Sequence, residues 1–263
     1  MIEGRLLLVG AGNMGGAMLG RWLASGLDPA QVTVVTPSGR ALPGGVRGVP
    51  TIPAGEAFDV VLLGMKPQQL GQAAPALAQL APRLLLSILA GVEIATLVPL
   101  TDAAAVVRAM PNLPVALGAG VTALHGADDD TEARALAEAL ARPLGTVEWI
   151  GEEPLFDAVT ALSGCGPAFL FRFIDALADA GTALGLPADQ AMRLALATVE
   201  GSARMAMDAV DAPAVLADRV ASPGGSTRAG LDVLDAGDAL NQLLAHTLRA
   251  SRQRNAELAA AAR

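Results

Sequence analysis

Residues 6–23, LLLVGAGNMGGAMLGRWL, constrain the fold more than any other stretch of the chain. Four apolar residues, 6–9, read as a buried strand, and from residue 13 the apolar positions recur at helical spacing. Between them Gly10, Gly12 and Gly15 stand in G-x-G-x-x-G order. In that context each glycine has its own duty: Gly10 permits a tight turn, Gly12 lets the backbone approach a diphosphate, and Gly15 lets the helix pack close to the strand. The amides around Asn13 and Met14 then face an anion at the helix N-terminus. The same run is too short and too glycine-bounded for a secretion signal, so it is read as a strand.

Further apolar runs at 32–36, 60–63, 84–89 and 104–107 alternate with longer helical segments, the pattern of parallel strands joined by crossover helices. From about residue 152 alanine-rich helical periodicity takes over, at 156–162, 168–184, 188–207, 213–220, 227–234 and 239–260, and no strand signal follows Ile150. These patterns predict an α/β protein: an N-terminal Rossmann-type doubly wound, mostly parallel sheet over 1–151, then an all-helical substrate-binding and dimerisation domain over 152–263. Small residues in DALADAGTALGL and ALATVEGSARMAMDA let helix backbones come close, which suits helices interlocked between protomers. A self-contained helical bundle is the alternative.

Of the 263 residues 52% are apolar and 17% charged. The longest uncharged run, 109–127, contains Pro111, Asn112, Pro114 and three glycines, so it is not read as a membrane span. The surplus apolar surface is expected between subunits of a soluble protein, not in a membrane. A net charge of −8 and no arginine-rich face argue against a nucleic-acid partner and for a small molecule. The single cysteine, Cys165, excludes an intrachain disulfide and fits the reducing cytoplasm. No metal-ligating set is expected.

The second strand ends in VVTPSGR, where an acidic residue would bind the ribose 2′-hydroxyl of NAD. Thr36 stands there instead, followed by Ser38 and Arg40. Hydroxyls and a guanidinium suit a 2′-phosphate, so NADPH is expected in preference to NADH. A nicotinamide cofactor implies hydride transfer, and few residues are available to supply the accompanying proton. The chain has no tyrosine, which excludes the tyrosine-plus-lysine acid of short-chain dehydrogenases, and one lysine, Lys66, at the end of a strand in the first domain. A lysine acid on the second domain, as in β-hydroxyacid dehydrogenases, is therefore excluded. His125 lies in the loop-like ALHGADDD and His246 in the last helix. Reduction of a ketone needs a positioned acid, whereas an imine nitrogen can arrive already protonated. The inventory favours an imine, with Glu200 and Asp232 as remaining acids.

A second break in pattern occurs in RVASPGGSTRAGLDVL, residues 219–234. Pro223 is expected to end one helix, Gly224 and Gly225 to turn backbone N–H groups inward, and Ser226 or Thr227 to cap the next helix. The positive helix end faces the same space. Local physics describes an anion site, equally suited to a carboxylate or a phosphate.

Five stretches, GAGNMG (10–15), GMKPQ (64–68), RAMPN (108–112), ALSGCGPAF (161–169) and SPGGST (222–227), occur in an order that resembles the pyrroline-5-carboxylate reductase family. The resemblance runs over nearly the whole chain. It implies an NAD(P)H-binding Rossmann domain, a helical second domain, homodimers whose interlocked helices complete the sites, and in some members rings of dimers. It implies that Met65, Lys66 and Pro67 line the nicotinamide side of the cofactor, with Met110, Pro111 and Asn112 nearby and Cys165 beside the cofactor. Ser222, Gly224, Gly225, Ser226 and Thr227 would receive a cyclic imino acid, with the Thr227 hydroxyl near the ring nitrogen. Cys165, Phe169 and Leu113 depart from the serine, tyrosine and threonine more usual in the family, removing three hydroxyls near the site. The reaction so implied is reduction of 1-pyrroline-5-carboxylate to L-proline. A related cyclic imine or 2-oxoacid, or a non-catalytic NADP(H)-binding regulator, are the alternative readings.

Overall fold

The computed structural model describes residues 2–37, 39, 41–127 and 130–261. Among these residues eight strands form one sheet: β1 (Leu6–Val9), β2 (Val32–Val35), β3 (Arg47–Val49), β4 (Val60–Leu63), β5 (Leu84–Ser87), β6 (Ala105–Pro111), β7 (Gly120–Gly126) and β8 (Gly145–Trp149). Their order is β3-β2-β1-β4-β5-β6-β7-β8. All neighbours are parallel except β6 and β7, which pair antiparallel with Arg108 opposite His125. Chain order runs one way from β1 through β2 to β3 and the other way from β4 onward. The crevice between the ends of β1 and β4 is therefore a topological switch point, where ligands of open α/β sheets bind.

The central strands have no polar face, because both sides of the sheet are covered. Leu6 and Leu8 belong to a core shared with Met18, Leu19 and Trp22 of α1 (Asn13–Ala24). Leu7 and Val9 point the other way, into a core with Leu70 and Leu77 of α2 (Leu70–Leu77) and Leu97 of α3 (Ile94–Leu97). α4 (Thr131–Ala141) lies on the α1 side: its Ala133, Ala137 and Leu140 join that core, and Trp22 donates its indole N–H to the Leu140 carbonyl at 2.6 Å. Asp130 caps α4, its carboxylate accepting from the amides of Glu132 and Ala133.

Compactness divides the chain between Cys165 and Gly166, and returns the residues from Ser251 onward to the first unit. The change of style near 152 and the compact division thus differ by some fourteen residues. The intervening segment packs on the sheet: Phe156, on α5 (Phe156–Val159), is buried with Met110 and Ala123. The second unit holds α6 (Gly166–Ala183), α7 (Ala188–Asp208), α8 (Pro213–Arg219), α9 (Ser226–Asp235) and the first half of α10 (Ala239–Ala261). Its buried core is small, Ile174 and Ala178 against Ala191 and Ala195, while Leu170, Phe171, Phe173, Leu194 and Leu196 are exposed. One helical run, 153–183, is apolar and long enough to cross a membrane by length and composition alone, although Asp157, Arg172, Asp175 and Asp179 interrupt it.

Three strands differ from the sequence expectation. β7 and part of β6 occupy the run of prolines and glycines at 109–127, where no strand is expected; the 3-10 turn Leu113–Leu117 and Gly118, at φ +70°, close the connection between them. His125 is accordingly a buried strand residue, not a loop residue. β3 and β8 are short edge strands with alternating or exposed residues, so no apolar run announces them.

At the β3 edge, Glu56 accepts two hydrogen bonds from Arg47, both 2.8 Å, and a third, shorter one from Arg5 beside β1. This clasp holds residues 50–56, part of the cleft wall described below. The Arg47 hydrogen bonds, then Arg5, bring the Glu56 carboxyl down to about 2 from 4.5. Because the folded form holds the carboxylate ionised, its stabilisation is present above pH 4.5 and is lost as pH falls toward 2. Urea midpoints measured between pH 6 and pH 2.5 will therefore decline more steeply for the parent chain than for Glu56→Gln, the two converging at the acid end.

Candidate functional site

The turn after β1 is fixed by one crowded carbonyl. Gly10 has φ +92°, and a side chain there would meet the Met65 backbone at 2.7 Å. A Cβ on Gly15 would approach the Gly10 oxygen to 2.9 Å, and one on Gly64 would approach the same oxygen to 2.8 Å. The Gly10 carbonyl is thus wedged between the first turn of α1 and the end of β4, with room for hydrogen only on either side. Hydrogen bonds from Gly10 N–H to the Val35 oxygen, 3.2 Å, and from Gly64 N–H to the Val9 oxygen, 2.9 Å, complete the arrangement. Gly12 is different: at φ −68° it precedes α1 as the N-cap, and an added Cβ would meet no protein atom within 4 Å. No side chain caps α1.

Gly12 faces a cleft of about 710 Å³ at the switch point. It is lined by Val9, Gly10, Gly12, Asn13 and Met14 around the turn and by Gly64, Met65 and Lys66 after β4. Val35, Pro37, Pro50, Thr51 and Ile52 also line it, as do Gln69 and, from α2, Gln72, Ala73 and Ala76. Among the described residues of the lining there is no carboxylate and one cation, Lys66. Oriented amides, a helix N-terminus and an ammonium suit a phosphorylated ligand. The apolar slab of Pro37, Pro50 and Ile52 suits a flat ring.

Of the residues expected to bind cofactor, Gly10, Gly12, Asn13, Met14, Met65 and Lys66 line this cleft, and Gly15 lies beneath it. Thr36 directly follows β2, its N–H bonded to the Val49 oxygen at 2.8 Å. Ser38 and Arg40 lie outside the described residues. Pro67 opens the 3-10 turn Pro67–Gln69, where Gln69 Oε1 accepts the Lys66 N–H at 3.1 Å. Met110, Pro111 and Asn112 do not line the cleft: Met110 is buried against Ala123 and Phe156, and Pro111 ends β6. Asn112 works as a brace, donating from Nδ2 to the Ser163 oxygen at 3.0 Å and accepting the Val121 N–H at 2.8 Å.

Two features were not legible beforehand. Gly64, inside the GMKPQ stretch, is as indispensable to the turn as Gly10; the signal was a glycine directly after a strand. Arg108, buried in β6, pairs with Glu153 at 2.8 Å and lies over the Phe156 ring at 4.6 Å. Glu153 also accepts the Ile94 N–H at 2.7 Å, and His125 Nδ1 meets the Ile150 oxygen at 2.7 Å. These contacts tie 150–163 to β6 and β7. Their partners lie 25 to 59 residues apart, beyond any local motif.

ALSGCGPAF is not a turn between two helices. α5 continues into a π-helical segment, Thr160–Gly164, and α6 begins at Gly166 after a bend at Cys165. Cys165 follows that segment, donates its N–H to the Thr160 oxygen at 2.8 Å, and accepts the Ser251 hydroxyl at 3.3 Å.

In the second unit, α8 ends at Arg219, before Pro223, so the proline lies within the following turn and does not itself end the helix. Gly225 donates to the Ser222 oxygen at 2.9 Å, and Gly224 holds φ +72°. A side chain on Gly225 would meet Ser222 Oγ at 2.7 Å. Gly225, not Ser226 or Thr227, is the N-cap of α9; the two hydroxyl residues occupy its first turn, with Thr227 exposed. Placing glycine at the cap keeps both hydroxyls out of intrahelical capping. Arg228 of α9 reaches back to Asp218 of α8 at 2.6 Å and staples the two ends of the loop.

A family model described as pyrroline-5-carboxylate reductase dimerisation matches residues 153–258, and one described as NADP oxidoreductase coenzyme F420-dependent matches residues 5–91. A pyrroline-5-carboxylate reductase of Pseudomonas aeruginosa is 38% identical, with 97% of each chain covered. That of Escherichia coli is 34% identical over 89% of this chain and 91% of its own. Among solved structures, a pyrroline-5-carboxylate reductase from Coxiella burnetii superposes with a TM-score of 0.86 at 32% identity, over 97% of this chain and 98% of the other. A Plasmodium falciparum pyrroline carboxylate reductase with NADP bound gives 0.81 at 25% identity, over 98% and 99%. With matches of this extent on both halves, and the glycine turn and SPGGST loop built as described, the chain belongs to the pyrroline-5-carboxylate reductase family.

Proposed function

We propose that the chain reduces the C=N bond of 1-pyrroline-5-carboxylate with NAD(P)H, giving L-proline. The observation that carries this reading is the turn at Gly10–Met14, opening on a cleft at the switch point whose described lining holds no carboxylate, in a chain of this family. When bound, the cofactor supplies a hydride to the imine carbon. The backbone amides of Gly12, Asn13 and Met14 hold its diphosphate at the α1 N-terminus, and Gly15 lets that turn approach. Met65, Lys66 and Pro67 form the nicotinamide side, with Met110, Pro111, Asn112 and Cys165 in its surroundings. Thr36, Ser38 and Arg40 receive a ribose 2′-phosphate, so NADPH is used in preference to NADH; an acid at Thr36 would repel that group.

Ser222, Gly224, Gly225, Ser226 and Thr227 hold the substrate carboxylate at the α9 N-terminus, and Thr227 Oγ1 donates to the ring nitrogen as it becomes an amine. The nitrogen's own basicity explains why a hydroxyl suffices where ketone reduction would need a stronger acid. Catalysis then rests on orientation and exclusion of water. The functional boundary is drawn at 151–152, the 152–263 region serving substrate binding and dimerisation. A partner subunit covers the apolar faces of α6 and α7, and such dimers can assemble further into a ring. The charges within 153–183 fit that partner better than lipid. The protein works in the reducing cytoplasm.

The test follows NADPH oxidation with 1-pyrroline-5-carboxylate, beside NADH and beside larger cyclic imines and 2-oxoacids. Highest kcat/KM with NADPH and the five-membered imine is expected; a larger ring or an oxoacid turned over faster would overturn the substrate. In the same assay Thr227→Ala keeps NADPH affinity and loses about tenfold to a hundredfold in turnover, the worth of one hydrogen bond made in the transition state.

Two glycine variants separate folding from cofactor binding. Gly12→Ala, which meets no protein atom, keeps its melting temperature and loses NADPH affinity by calorimetry. Gly64→Ala collides with the Gly10 carbonyl and costs about 1–3 kcal/mol of stability in urea unfolding.

A further inference from the structure

Lys66 is the only lysine of the chain; the rest of its 18 lysines and arginines are arginine. Guanidinium groups stay protonated and are not nucleophiles, whereas an amine can lose its proton and attack a carbonyl. The chain therefore carries one side-chain amine, and the fold puts it on the wall of the cleft that holds Gly12, Asn13 and Met14. Lys66 is exposed there, and its backbone is fixed by Gln69 Oε1 at 3.1 Å and by Pro67 in the following turn. Among the described residues its ammonium forms no ion pair, and the described lining contains no carboxylate to hold it or to repel an anion.

An anion-binding turn and a lone amine lining one cleft suit a ligand carrying both a phosphate and an aldehyde. We propose that Lys66 is a site of reversible imine formation with phosphorylated aldehydes, and that the adduct closes the cofactor cleft. The Nζ lone pair attacks the aldehyde carbon, the carbonyl π pair moves to oxygen, and the carbinolamine expels that oxygen as water, taking up the protons released by nitrogen. A C=N bond replaces C=O with no change of oxidation state, and water reverses the step. The phosphate takes the position at the α1 N-terminus that the dinucleotide diphosphate needs, so adduct and cofactor exclude each other. This inference rests on the cleft being the NAD(P)H site.

Pyridoxal 5′-phosphate serves as the probe on the full chain, with borohydride trapping, intact mass and peptide mapping, and NADPH affinity measured separately by calorimetry. One adduct per chain at Lys66 is expected, prevented by saturating NADP⁺ and matched by loss of NADPH binding. Pyridoxal without the phosphate will label roughly tenfold more slowly, the worth of one charge-assisted contact. Lys66→Arg will take no side-chain label, and its own residual activity will be insensitive to the aldehyde. Labelling confined to the N-terminal amine, or equal rates for pyridoxal and its phosphate with no protection by NADP⁺, would overturn the proposal while intact NADPH binding leaves the cofactor reading standing. Absence of NADPH binding would overturn both.

Discussion

One carbonyl organises the nucleotide-binding half of the molecule. The Gly10 oxygen is enclosed by α1 on one side and the β4 end on the other, at distances that admit no β-carbon on Gly15 or Gly64. Three chain segments must converge there for the turn to exist, so the position of the α1 N-terminus is set by packing and not by any ligand. Gly12, with nothing opposite it, is the single place where the turn is left open. A site built in this way is organised before anything binds, which spares the ordering cost that a flexible loop would meet.

The two halves of the chain rely on opposite strategies for burying apolar surface. Strands Leu6–Val9, Val60–Leu63 and Leu84–Ser87 are buried on both faces within a single chain. In the helical unit, five buried residues, Ile174, Ala178, Ala191, Ala195 and Ala221, stand against a much larger set of exposed leucines, phenylalanines and methionines. Such a composition is costly for a monomer and ordinary for a helix pair finished by another subunit. The match of residues 153–258 to a dimerisation model is in keeping with that imbalance.

The sequence made the fold class and the glycine turn plain, because both depend on neighbours within one strand or helix turn. Leu6–Val9, Val60–Leu63 and the long helices are announced by uninterrupted periodicity. Gly120–Gly126 was hidden because Pro111, Pro114, Gly118 and Gly120 crowd the connection before it, and local signals weigh such residues as loop. Arg47–Val49 and Gly145–Trp149 are edge strands whose stability comes from pairing partners and not from their own side chains. The α9 cap at SPGGST is Gly225, one or two residues before the expected Ser226 or Thr227, since glycine competes with serine and threonine for a helix N-cap. Arg108 with Glu153, and Asn112 with Ser163, could not be read at all, because each pairing exists only once the sheet has brought distant segments together.

The π-helical segment at Thr160–Gly164 has a geometric effect out of proportion to its length. A π-turn places one extra residue in the helix, and each residue of an α-helix advances the side-chain direction by about 100°. Phe156 and Ala161 are buried before and within the insertion, while Leu162 is 65% exposed and α6 presents most of its apolar residues outward. The insertion resets the helix's phase. The run from Phe156 to Gly164 can then bury Phe156 and Ala161 and leave Leu162 outside, with no proline inside it. A helix of uniform pitch would have to choose a single side.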